Sequence, residues 1–163
     1  GADVFLSIHL NADPYGVGHG VETWFLSPDS ADTEAQHLVA AEEAAYGEHD
    51  HEDEVETELI DTIIQDATHR AAQAASEALA GTVVKRLHTL TNAPFRGVKQ
   101  APFGVLKEAT MPAIVVECGF FSHHQEGLAL VDPDYAERVA RGIADGLLEY
   151  DQHIGGRRTA MAP

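Results

Sequence analysis

Residues Ala113 to Ser122 read Ala-Ile-Val-Val-Glu-Cys-Gly-Phe-Phe-Ser, and no other stretch restricts the fold of this chain so tightly. A short, unbroken apolar run rich in β-branched residues belongs to a strand covered on both faces, in a parallel or mixed sheet. The run is preceded by Pro112 and ends on a carboxylate, Glu117. An acid at the end of a buried strand is poorly placed for stability. It is well placed for chemistry, because open α/β sheets bind ligands at the carboxyl ends of their strands.

A second segment repeats the design. Val4 to Leu10 is mostly apolar and delivers His9, Asn11 and Asp13 where the strand ends. A His and a Glu at the ends of two buried strands match the needs of a zinc hydrolase, one as metal ligand and one as general base. The expected fold is three-layer α/β: a mixed, mostly parallel sheet with helices on both faces.

Four motifs then resemble one family, in order: Ser7-Ile8-His9-Leu10-Asn11, Gly20 to Ser27, Arg96 to Leu106, and Pro112 to Ser122. Together they are similar to the zinc-dependent N-acetylmuramoyl-L-alanine amidases, which trim bacterial cell walls. The resemblance runs from the first residue to about Tyr150. It implies zinc as cofactor, peptidoglycan as substrate, His9 as metal ligand and Glu117 as catalytic carboxylate. It implies a periplasmic or extracellular, cell-wall location. Members of the family carry a further His and a Glu ligand upstream of the Ser-Ile-His strand. This chain is therefore expected to be the C-terminal portion of a longer domain, N-terminally truncated and inactive alone.

Other residues carry two readings each. Arg96, Lys99 and Gln100 precede a strand in a matching motif; they line the substrate groove with Asn11, or they serve packing and salt bridges. Glu117 has the alternative of pairing with Arg96 or Lys99. Glu22, inside a strand, is read as structural. His49 and His51 lie among acids and read as a weak, nonspecific metal tract. His123-His124 stands where similar amidases carry Asn-Pro. Cys118 is read as a small buried hydrophobe, not a nucleophile.

Charge is uneven. The net charge is −17, yet no Lys or Arg precedes Arg70, while 17 acids do. Such a surface excludes nucleic acid and anionic lipid as partners. No segment reaches the length of a membrane span, and the chain is expected to be a monomer. Residues 46–57 form an acidic insertion, expected to be exposed. In some division-associated relatives an insertion here plugs the site, so an activator protein is a conditional partner.

The remaining expectations are local. A helix opens at Asp29 or Ser30 and ends near Ala45. A long helix runs from Leu59 to about Leu90, with Gly81 inside it. Phe103 to Lys107 is expected as a strand and Gln125 to Leu130 as a short helix. A final helix opens at Pro133. The domain is expected over 1–152, with a flexible tail over 153–163. A competing reading is a non-catalytic module that binds wall glycan or only packs; a third is a different zinc exopeptidase.

Overall fold

The computed structural model describes residues 2–27, 33–46 and 59–160. The expected cap at Asp29 or Ser30 and most of the acidic insertion, with His49 and His51, lie outside them. The described elements are β1 (Phe5–Asn11), β2 (Val21–Leu26), α1 (Thr33–Tyr46), α2 (Leu59–Thr91), β3 (Phe95–Ala101), a 3-10 turn (Gly104–Leu106), β4 (Ala113–Phe120), α3 (His124–Leu130) and α4 (Pro133–Ala160).

The sheet order is β1-β4-β2-β3. β1 runs parallel to β4 and β2 parallel to β3, while β2 and β4 are antiparallel. This is the mixed, mostly parallel sheet expected. β4 lies in the interior of the sheet and every one of its residues is buried, as its uninterrupted apolar run requires.

Side chains alternate across the sheet and fill two cores. Ile114, Val116 and Cys118 of β4 join Leu79, Val83, Val84 and Leu87 of α2 and Ile143 of α4. Ala113 and Val115 point the other way, to Trp24, Phe103, Leu106 and Ala35 of α1. Glu117 has the parity of this second face. Helices thus cover both faces. α4 lies close against α2 because two glycines face it. A Cβ on Gly146 would lie 2.6 Å from the Val83 Cα, and one on Gly142 3.0 Å from the Leu87 Cα. Gly81, by contrast, has no neighbour within 4 Å of such a Cβ.

Three local readings change. The strand expected at Phe103–Lys107 lies earlier, at Phe95–Ala101, and Gly104–Leu106 is a 3-10 turn. Pro102 lacks the N–H that would continue the ladder, and Phe103 and Leu106 fold into the core at 1% exposure each. The last helix continues through Gly155-Gly156 to Ala160, inside the 153–163 segment expected as a tail. α3 begins one residue early, capped by His123, whose side chain accepts from the Glu126 N–H.

Candidate active site

β1 and β4 are in register with His9 opposite Glu117. Parallel neighbours lie about 4.8 Å apart, so the two side chains stand side by side on one face. β2 and β4 are in register with Glu22 opposite Glu117. His9, Glu117 and Glu22 therefore form a row across three strands.

Glu22 is fully buried and is the charge hub of this row. Its carboxylate accepts from Asn11 Nδ2 at 3.0 Å, Trp24 Nε1 at 3.2 Å and Arg96 Nε at 2.7 Å. Lys99 Nζ lies 2.8 Å away. Arg96 and Lys99 would fall on opposite faces of a regular strand. Gly97, at φ +88°, changes that. The register with β2 shifts there, and such a bulge turns both cations to the same carboxylate.

Glu117 is 3% exposed, and its Oε2 has no hydrogen-bond partner. Burial pushes its pKa up to about 8, with the neighbouring charge of Glu22 adding to the effect. A carboxyl held near neutral pH can both take and return a proton. His9 is half-buried, and burial lowers its pKa, which favours the neutral, metal-binding imidazole. The Ser7 hydroxyl lies 2.6 Å from His9 Nε2 and orients the ring.

A cavity of about 920 Å³ opens over this row. His9, Asn11 and Glu117 line it, together with Phe120 and with Thr33 and His37 of α1. Arg96, Lys99 and Gln100 do not line it; Arg96 and Lys99 join the site through Glu22, and Gln100 is exposed on β3. Among the described residues no group of three or more His, Cys, Asp or Glu could hold a metal ion. Cys118 faces the other core, and burial pushes its thiol up to about 12, which leaves it unreactive.

Two carboxylates matter more than the sequence reading allowed. Glu22, read there as structural, sits in direct register with Glu117. The signal was present: an acid in a strand that also carries Val21, Trp24 and Phe25 needs charged partners once it is buried. Glu126 was not singled out at all. Its buried carboxylate accepts from the Gly20 and Phe120 N–H groups and fastens the start of β2 to the end of β4. His123, at the departure from Asn-Pro, stacks on His19 with centroids 4.9 Å apart.

The family described as N-acetylmuramoyl-L-alanine amidase matches residues 1–149, and the chain belongs to it. It is 27% identical over 91% of its length to the amidase LytC of Bacillus subtilis, covering 22% of that protein. It is 30% identical over 91% of its length to the amidase AmiC of Neisseria meningitidis, covering 36% of that protein. Among solved structures it resembles the amidase of Clostridium difficile 630, with a TM-score of 0.61 and 27% identity, covering 91% of this chain and 57% of that one. The chain thus spans roughly half or less of the relatives it matches. The family is generally zinc-dependent.

Proposed function

We propose that this chain contributes the general base and one metal ligand to a zinc-dependent amidase that cleaves the bond between N-acetylmuramic acid and the L-alanine of the stem peptide. The observation that carries the reading is the pairing of His9 with Glu117. One is a neutral-favouring, oriented imidazole; the other is a buried carboxylate with an unbonded oxygen, and both open on one cavity.

The donor set fits zinc in part. His9 fits one ligand position, and the Ser7 hydroxyl is the kind of partner that holds a ligating ring in place. Catalytic zinc takes three protein ligands; the others come from outside the described residues. When bound, zinc polarises the scissile carbonyl and acidifies a water. Glu117 accepts the proton of the attacking water through Oε2 and then returns it to the departing alanine amine. Asn11, held on Glu22, lines the same wall. Arg96 and Lys99 act through Glu22, keeping its negative charge fixed beside Glu117.

Membership in a cell-wall amidase family supports peptidoglycan as the substrate and a periplasmic or extracellular location. No helix among the described residues is long and apolar enough to cross a membrane. The insertion to which an activator would answer lies outside the described residues.

The test uses a domain of the solved relatives' length that contains this chain. It should release stem peptides from peptidoglycan in a zinc-dependent way. Glu117→Gln should cut turnover by on the order of 10² to 10⁴ with zinc retained. His9→Ala should lose zinc first and activity with it. Near wild-type turnover in Glu117→Gln would refute the assignment of the base.

A further inference from the structure

The rim of the cavity holds a feature that the chemistry above does not use. Tyr15 is 87% exposed and Val17 is 69% exposed, and both line the cavity mouth. Large apolar side chains left in water by a floppy loop would be unremarkable, since single exposed apolar residues are common. This loop is fastened at every step. The Asp13 carboxylate accepts from the Tyr15 N–H at 3.2 Å, the Val17 N–H at 2.7 Å and the Gly18 N–H at 2.8 Å. The Asp13 N–H donates to Ser122 Oγ at 2.8 Å, and the Gly16 N–H donates to the Asp13 carbonyl at 3.0 Å. Gly16 has φ +66°, and a Cβ there would meet the Ser122 carbonyl oxygen at 3.3 Å. Gly18 packs so closely on Phe120 that a Cβ would lie 2.7 Å from its ring. The backbone is locked, and what it presents outward is an aromatic ring beside a β-branched side chain.

The charge of the cavity says which part of a substrate such a ring would meet. No Lys or Arg is among the described residues lining the cavity. Among the described residues its carboxyl groups belong to Asp13 and Glu117; the backbone donors lower the Asp13 pKa and keep it ionised at the rim, while Glu117 is buried behind it. The chain as a whole carries −17. A stem peptide bearing free carboxylates is repelled from such a rim. An N-acetylated sugar is uncharged. One face of its ring is a sheet of C–H bonds, which suits the electron-rich face of a Tyr ring, and a Tyr gives broad contact area at low entropic cost.

We infer that Tyr15, flanked by Val17, is a stacking platform for a neutral sugar ring of the glycan strand, so that the strand lies along the Asp13–Gly18 loop. The identity of the polymer rests on the amidase reading; the preference for sugar over peptide rests on the loop and the cavity.

The experiment titrates the 163-residue chain with N,N′,N″,N‴-tetraacetylchitotetraose, and separately with a free stem tetrapeptide, by NMR. The sugar should bind, with resonances of the Tyr15 ring shifting. Tyr15→Ala should weaken binding by about tenfold, a size typical of one stacked aromatic, while Tyr15→Phe and Tyr15→Trp should stay within about threefold. Tyr15 is almost entirely exposed, so none of these variants threatens the fold. Unchanged sugar binding in Tyr15→Ala would overturn the platform, as would a chain that binds the stem tetrapeptide through Tyr15 and not the sugar, or one that binds neither. If the sugar binds through Tyr15 but the longer domain releases no stem peptide, the platform stands and the amidase reading alone fails.

Discussion

Replacing glycine by alanine inside a helix ordinarily stabilises a protein by about 1 kcal/mol, because alanine is the better helix former. In this chain the same change should have opposite signs at two positions. At Gly81 a Cβ meets nothing within 4 Å, so Gly81→Ala should gain about 1 kcal/mol. At Gly146 the Cβ would lie 2.6 Å from the Val83 Cα, 3.0 Å from its N and 3.1 Å from its Cγ2. Two of those three atoms are backbone, so no rotamer change relieves the clash. Ordinary carbon contacts lie near 3.5 to 4.0 Å, and α4 must therefore retreat from α2 by about 1 Å. That retreat loosens the packing of Val83, Leu87 and Ile143 along the seam. Overpacking of this kind costs about 1–3 kcal/mol, and the backbone contact places Gly146→Ala at the upper end. Net of the helix gain, a loss of about 2 kcal/mol is expected. Urea denaturation followed by the single, buried Trp24 measures both variants. Stabilisation by Gly146→Ala, or equal effects at the two sites, would refute the claim that the glycine sets the distance between the helices.

Three further outcomes are expected. Glu117 has its pKa raised from 4.5 to about 8, so the metal-free native state keeps a proton that the unfolded chain releases; its contribution to stability is intact below about pH 4.5 and is lost as pH rises toward 8. In chelator, Glu117→Gln should thus be more stable than the parent at pH 8 and no more stable at pH 4, and an equal gap in urea midpoint at both pH values would contradict the burial. Glu22→Ala should cost about 3 kcal/mol by leaving Arg96 and Lys99 without their shared anion, read as a lowered urea midpoint, with Glu22→Gln costing less because the Asn11 and Trp24 bonds survive. Dialysis against zinc and then a weak chelator should leave the 163-residue chain with well under one zinc per molecule; stoichiometric metal would show that residues other than His9 complete a site.

What was legible in the sequence follows strand chemistry. Ala113 to Phe120 announced itself because a strand buried on both faces has no room for alternation. His9 and Glu117 were legible because both stand at strand carboxyl ends. The same rule hid the part played by Glu22. β2 and β3 run against β4, so the starts of those strands, not their ends, arrive beside Glu117. β3 was placed too late because its polar side chains turn inward to a carboxylate and its alternation breaks at Gly97. Phe103 and Leu106 read as strand residues because apolar residues in a 3-10 turn look the same in sequence as those in a short strand. The rim loop was legible only as a loop. That Asp13 ties down the N–H groups of Tyr15, Val17 and Gly18 depends on one rotamer, which no periodicity reports.

The strand order also dictates when the site can come into being. β1 meets β4 through Phe5 and Ala113, 108 positions apart, and β2 meets β4 through Glu22 and Glu117, 95 positions apart. Even β2 and β3 pair across 74 positions, from Val21 to Phe95. No two of the described strands are joined by a hairpin, and β4, the last of them in the sequence, is the strand that separates β1 from β2. Such pairings bear a large loop-closure entropy and form slowly. A nascent chain that stops short of Ala113 holds β1 with no partner among the described strands and β2 with one open edge, both prone to stray pairing. Once β4 inserts, it joins β1 to β2 and brings Glu117 between His9 and Glu22 in the same event. Joining of the four described strands and assembly of the reactive row therefore go together, and a chain in which β4 pairs wrongly holds no half-built row.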